Sequence, residues 1–279
     1  MISISGKRRS AGNRVWTLVM LIALALCVLP LADILWVIAL RGVPAIKLDL
    51  FVTSTSGVAG GLANAITGTL LIVCAAVALA APIGILGALF VSELADRRTA
   101  ALIRYAADTL TGVPSIVLGY VCYVALVVTL GWGFSLLAAA IVLMLMMLPY
   151  ILRTADLAMQ RIPVELRQAS YALGATRSET AFGVVLGASL PGIVTGVLVA
   201  ISISVGETAP LIYTAGWSNY MPTGKLFHSP VGYLTYVIWT FINEPFDSAH
   251  QLAYAAALIL IVLVLIINVL GRLTMRRRD

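Results

Sequence analysis

Charge is scarce in this sequence. Lys, Arg, Asp and Glu make up 11% of its 279 residues, against 61% that are hydrophobic, and the mean hydropathy is +1.03. A water-soluble domain carries about 25% charged and about 45–50% apolar residues. So little charge excludes an ordinary soluble domain, because no single aqueous core could hide this much apolar surface; the bilayer is its natural solvent. Cysteine is scarcer still: Cys27, Cys74 and Cys122 are scattered through apolar runs. That pattern excludes a disulfide framework and reads as small apolar packing residues. The two histidines, His228 and His250, share one polar region without HExxH spacing, so no metal site is expected. The chain has no GxxxxGKS/T phosphate loop, no GxSxG, no nucleophile–His pair and no cluster of acids in an apolar run. These absences exclude ATP binding through a phosphate loop and leave no candidate catalytic residue. The expectation is a pathway rather than an enzyme.

What is present is a series of apolar runs near the roughly 20 residues needed to cross a bilayer. They fall at Val15–Leu40, Ala65–Val91, Ser115–Leu130, Ser135–Leu152, Pro191–Tyr213 and Leu252–Leu273, the third and fourth joined by the tight turn GWGF. The first is too long for a signal-peptide core and lacks a clear small-residue cleavage site, so it reads as a retained helix. With the N-terminus inside, 15 Lys and Arg fall inside and three outside, namely Arg41, Lys47 and Lys225. This bias sets the orientation. The reading is an all-α membrane protein of six transmembrane helices with both termini cytoplasmic. It divides into a basic N-terminus at 1–14, a first helix at 15–40, a main transmembrane domain at 65–273 and a basic tail at 274–279. The main domain carries a cytoplasmic loop at 153–190 and an outer loop at 214–251. Within the outer loop, VGYLTYVIWTFI (Val231–Ile242) is too short to span and rich in aromatics. It reads as an interfacial or re-entrant helix with Trp239 and its neighbouring tyrosines at headgroup level.

Two polar interruptions stand out. The first is ELRQASYALGATRSET, Glu165–Thr180. Its first half consists mostly of good helix formers behind Pro163, and Gly174 stops or bends the helix before Ala175, Thr176 and Arg177 begin another. On physics alone it is either a projecting helix–turn–helix or an amphipathic loop lying on headgroups. The second is VGETAPLIYTAG, Val205–Gly216, which places Glu207 and Thr208 within an apolar run and breaks the helix at Pro210. A carboxylate at that depth needs a partner or an aqueous path. The start of the third span, TGVPSIVLGY (Thr111–Tyr120), breaks at Pro114 and offers free backbone N–H groups near Pro114 and Ser115.

The first stretch resembles the signature loop of binding-protein-dependent ABC importer permeases, E-A-A-x-x-x-G-x9-I-x-L-P. The matching positions are Gln168, Ala169, Ser170, Gly174, Val184 and Leu186. Gln168 replaces the family's usual Glu, and Gly187 stands where it has proline. GETAPL followed by TAG, together with GVPS, resembles the PstA family of phosphate importer permeases over most of the chain from about Ala65 onward. The resemblance implies the type I ABC importer permease (MetI-like) fold in a bacterial cytoplasmic membrane. It also implies an ATPase-coupling loop comprising Glu165, Arg167, Gln168, Ala169, Ala172, Gly174, Ala175, Thr176 and Arg177. The path or gate would comprise Glu207, Thr208, Pro210, Pro114 and Ser115. The implied partners are a PstC-like sister permease, two PstB-like ATPase subunits carrying ATP and Mg, and a PstS-like extracytoplasmic phosphate-binding protein. This chain itself would bind no cofactor and no nucleic acid. Many phosphate permeases carry an arginine four residues before the Glu of GET, where this chain has Ile203. A permease for another oxyanion or small solute, and a stand-alone secondary transporter, remain as alternatives.

Overall fold

The computed structural model describes residues 5–276. Of the two basic ends, residues 1–4 and 277–279, including Arg277 and Arg278, lie outside the described residues. Helix α1 (Ser5–Gly42) continues through Pro30 and packs chiefly along the last helix, so most of its apolar side chains from Trp16 to Leu40 face outward. A 3₁₀ turn (Val43–Ala45), a short α2 (Asp49–Val52) and an antiparallel pair, β1 (Thr55–Ser56) with β2 (Ala59–Gly60), lead into α3 (Ala63–Leu89). This connection is tied down by Asn64, whose Oδ1 accepts from the Thr55 N–H at 3.0 Å while its Nδ2 donates to the Ser218 carbonyl at 2.8 Å.

Helix α3 ends in a π-helical turn, Phe90–Leu94, before α4 (Arg97–Thr111). Asp96 caps α4 by accepting from the Arg98 and Thr99 N–H groups at 3.0 and 3.3 Å. Hydrogen bonding, that from Thr99 foremost, holds its carboxyl below its ordinary value. The chain then bends by 99° into α5 (Ser115–Cys122), which continues as π-helix over Tyr123–Thr129. The bend follows from Pro114, which lacks an N–H and disfavours helical geometry at Val113. Next come α6 (Leu136–Gln160), α7 (Val164–Ala172) and α8 (Arg177–Glu179), which runs through a π turn into α9 (Leu186–Val205). The chain finishes with α10 (Ala209–Thr214), α11 (Leu234–Phe241) and α12 (Asp247–Arg276). The core lies where α3, α6 and α9 meet, around Ile72, Ala76, Leu143, Met147, Ile151 and Ala200. Small residues such as Ala138, Ala139, Ala140 and Ala155 are fully buried there. They let the helices approach closely, which is how helices associate where lipid removes the hydrophobic drive.

Five of these helices are long and apolar enough to cross a membrane, and the bent pair α4–α5 supplies a sixth if counted as one span. The segment Ser115–Thr129 alone would rise only about 22 Å, short of a hydrocarbon core of about 30 Å. Two boundaries differ from those read off the sequence. The fourth span runs on to Gln160, because Arg153, Asp156 and Gln160 bond with one another and with α4 and so keep the polar turn helical. The fifth begins at Arg177 rather than Pro191 and breaks after Val205, so the loop expected at 153–190 is irregular only around short α7. The helix expected in the outer loop exists as α11, and Trp239 on it is exposed. Of its neighbouring tyrosines, Tyr233 is buried rather than at a surface, and Tyr236 is half-buried and stacks on Trp217 at 4.4 Å. Two bonds pull α11 inward, from the Leu234 N–H to the Thr69 hydroxyl (2.9 Å) and from the Thr235 hydroxyl to the Glu207 carbonyl (2.7 Å).

Candidate functional site

The polar segment after α6 forms a rigid angle. Pro163 caps α7 with φ −55° and ψ 141°. At the far end the Gly174 N–H bonds the Tyr171 carbonyl (3.0 Å), the Ala175 N–H bonds the Ser170 carbonyl (3.2 Å), and Gly174 has φ +88°. This is a Schellman termination, which needs a residue without a Cβ penalty at its left-handed position. Two residues on, Thr176 opens the next helix with a capping box. Its hydroxyl accepts from the Glu179 N–H, and the Glu179 carboxylate accepts from the Thr176 N–H at 2.7 Å. The pattern Thr-x-x-Glu was legible in the sequence as a helix start, although the motif match drew attention to other residues. Glu165, Gln168, Ala169, Ala172, Thr176 and Arg177 are exposed and Ala175 is half-buried. Leu173, at the tip of the angle, is 90% exposed.

Arg167 alone of the expected set turns back into the bundle. Its Nη2 lies 2.8 Å from Glu93 Oε1 and its Nε donates to Glu93 Oε2 at 3.2 Å. The same guanidinium donates to the carbonyls of Met159 and Ile162. The hydrogen bonds that Arg167 donates to Glu93 raise the pKa of its guanidinium above the ordinary value, more than burial lowers it. The end of α3, the end of α6 and α7 are thus clamped by one side chain. Beside them the fully buried Asp156 accepts from Arg104 Nε and Nη2, both at 2.8 Å, and from Gln160 (2.8 Å) and Arg153 (3.3 Å). Arg153 also reaches Asp108 at 2.7 Å, which joins α4 to α6. Glu93 and Asp156 were not singled out from the sequence. The available signal was an acid at the end of each long apolar run, among the basic residues counted for orientation.

The second site forms where two helix breaks meet. Helix α9 ends at Val205, and α10 starts at Ala209 with Pro210 in its first turn, so Glu207 and Thr208 lie in the gap. Helix α5 starts at Ser115 directly behind Pro114 and packs against α10. Residues remote in sequence, Pro114–Ser115 and Glu207–Pro210, are therefore brought together. They come close because Gly119 carries no side chain: a Cβ there would stand 2.5 Å from the Pro210 Cα. The Glu207 carbonyl, freed by the break, accepts from Thr235 on α11, which meets the need of a broken helix for a new partner. Rings continue from this point along α5 and α10. Tyr120 meets Tyr213 edge-on at 6.0 Å, and Tyr123 stacks with Phe134 at 6.1 Å.

A bundle of apolar helices long enough to cross a bilayer, with a carboxylate at a helix break and a stiff polar elbow at one end, is the architecture of a multi-pass membrane protein. The family model described as Binding-protein-dependent transport system inner membrane component matches residues 80–279. Among similar proteins, phosphate transport system permease protein PstA 2 of Mycobacterium tuberculosis (strain CDC 1551 / Oshkosh) is 44% identical over 266 residues, covering 95% of this chain and 88% of that protein. PstA 1 of Mycobacterium tuberculosis (strain ATCC 25618 / H37Rv) is 34% identical, covering 97% and 91%. An inward-facing structure of the MetNI methionine ABC transporter shares the fold with a TM-score of 0.60 at 21% identity, over 78% of this chain and 94% of that one. The chain belongs to the family of binding-protein-dependent transport system inner membrane components, and within it to the PstA permeases.

Proposed function

We propose that this chain forms half of the translocation path of an ATP-driven importer of inorganic phosphate in a bacterial cytoplasmic membrane, with both termini on the cytoplasmic side. The observation that carries the reading is the placing of Glu207 in the break between α9 and α10, where α5 packs closely behind its own break at Pro114, on a chain similar to permeases named for phosphate transport. Phosphate at neutral pH still holds a proton, so it can donate a hydrogen bond to a carboxylate; sulfate cannot. With Ile203 in place of a basic residue, the cationic contacts fall to a PstC-like sister permease, and Glu207 serves as acceptor for the protonated oxyanion or as a gate. The exposed face of α7, with Leu173 at its tip, is the docking face for one of two PstB-like ATPase subunits, where ATP and Mg bind. A PstS-like binding protein delivers phosphate from outside.

The test is uptake of labelled phosphate by cells lacking this chain and by the same cells with it restored, with excess sulfate or molybdate as competitor. Restored uptake that ignores both competitors is the expected result; no difference between the two strains would move the substrate to another anion. Glu207→Gln keeps the shape and removes the charge, and uptake is expected to fall at least about tenfold, the scale of one lost charge-assisted hydrogen bond. Wild-type uptake by this variant would overturn the role given to Glu207. At the elbow, a Cβ on Gly174 would meet nothing within 4 Å, so only backbone strain is at issue. Gly174→Val is expected to cost about 1–2 kcal/mol at the elbow and to depress uptake, while Gly174→Asn, which tolerates the left-handed region, retains most of it. Equal uptake by the two variants at matched membrane abundance would refute the strain argument.

A further inference from the structure

At the end of the bundle opposite the polar elbow, where α1 stops and α12 begins, the chain forms an open cavity of about 690 Å³. This lies within the range of about 300–1,000 Å³ typical of small-molecule sites. Arg41, Lys47, Asp49, Asp247, His250 and Tyr254 line it. Arg41 Nη1 donates to the Tyr254 hydroxyl at 3.2 Å, and its guanidinium lies 5.2 Å from the centroid of that ring. The two cations Arg41 and Lys47 and the two anions Asp49 and Asp247 are all exposed, and among the described residues none of the four belongs to an ion pair. Opposite charges thus share one hollow without neutralising each other. A ligand carrying both charges at a fixed separation fits such a hollow better than a simple ion does.

The level of the cavity narrows the ligand further. Arg41 directly follows the apolar run of α1, and the apolar run of α12 starts at Leu252, so the cavity opens where both helices leave the hydrocarbon. Tyr254 is the kind of side chain that sits at that boundary. Two of the three basic residues on this side of the orientation count, Arg41 and Lys47, are gathered here. Below the cavity α1 leans on α12 with its other flanks open, so acyl chains of a lipid seated there would lie against exposed apolar side chains of α1. We propose that this cavity binds the headgroup of a zwitterionic aminophospholipid, its phosphate held by Arg41 and Lys47 and its primary ammonium by Asp49 and Asp247. The lipid fastens α1 to α12.

Native mass spectrometry of the assembled importer, released from nanodiscs of phosphatidylethanolamine or of phosphatidylglycerol, tests this. Phosphatidylethanolamine is expected to be retained, with phosphatidylglycerol, which lacks the ammonium, held about tenfold more weakly. Arg41→Gln/Lys47→Gln and Asp49→Asn/Asp247→Asn should each weaken retention of phosphatidylethanolamine about tenfold. The single variant Lys47→Gln, at an exposed side chain, provides a version with little risk to folding and should weaken retention in the same direction. Equal retention by wild type and both double variants would overturn the site. Equal retention of the two lipids would overturn the role of the two acids. Displacement of the lipid by millimolar inorganic phosphate would reassign the cavity to a free anion.

Discussion

Glu93→Gln and Arg167→Met are each expected to uncouple the transporter, so that ATP hydrolysis by its partner no longer tracks uptake, and to lower its melting temperature. The pair is well shielded, with side-chain exposures of 8% for Glu93 and 17% for Arg167. Removing one member of such a pair leaves a desolvated charge or donor without its partner and costs about 3 kcal/mol. The loss is also mechanical. Arg167 holds α7 to the end of α3 through Glu93 and to the end of α6 through the Met159 carbonyl, so its loss would loosen the elbow from the bundle. The double variant Glu93→Leu/Arg167→Met separates the two effects: stability should return while the ratio of uptake to ATP hydrolysed stays low. If the double variant restores both, the pair is only a structural element; if the single variants melt like wild type, it is not even that.

Asp156→Leu is expected to cost about 3–5 kcal/mol of stability. The carboxylate is fully buried and receives bonds from Arg104, Arg153 and Gln160. Leucine would leave two guanidiniums facing an apolar side chain at the joint of α4 and α6. Their own exposures, 30% for Arg104 and 29% for Arg153, allow water to relieve part of that penalty, which places the effect toward the lower figure. The measurement is the amount of folded protein in the membrane and its thermal melt in detergent. Arg104→Leu/Asp156→Leu removes the principal unpaired charge and should recover more than half of the loss. Wild-type melting of Asp156→Leu would show that the joint does not depend on this network.

Local chemistry was legible before the fold. Gly174 ends a helix because of its missing Cβ, and Pro210 and Pro114 break helices because each lacks an N–H; such effects act within a few residues. The long apolar runs likewise place the spans to within a few residues at α1, α3 and α12. Long-range pairings were hidden. Glu93 and Arg167 lie 74 positions apart, and Arg104 and Asp156 lie 52 apart. No periodicity links members of such pairs. The same limit explains the tyrosines of α11. Composition places an aromatic-rich segment at an interface, but the burial of Tyr233 follows from where α3 and the Glu207 carbonyl offer hydrogen bonds. Boundaries moved for a related reason: polar residues such as Arg153 and Asp156 stay helical once each has found a partner.

The hydrogen bond from Thr235 to the Glu207 carbonyl has a kinetic corollary. Rotation of α10 against α9 at the break must either carry α11 along or part this 2.7 Å contact. A neutral hydrogen bond contributes about 1 kcal/mol, which corresponds to about a fivefold change in rate if it is lost at the top of the barrier. Loss of the Thr235 hydroxyl would therefore change the rate of any such rotation while leaving the side chain of Glu207 untouched.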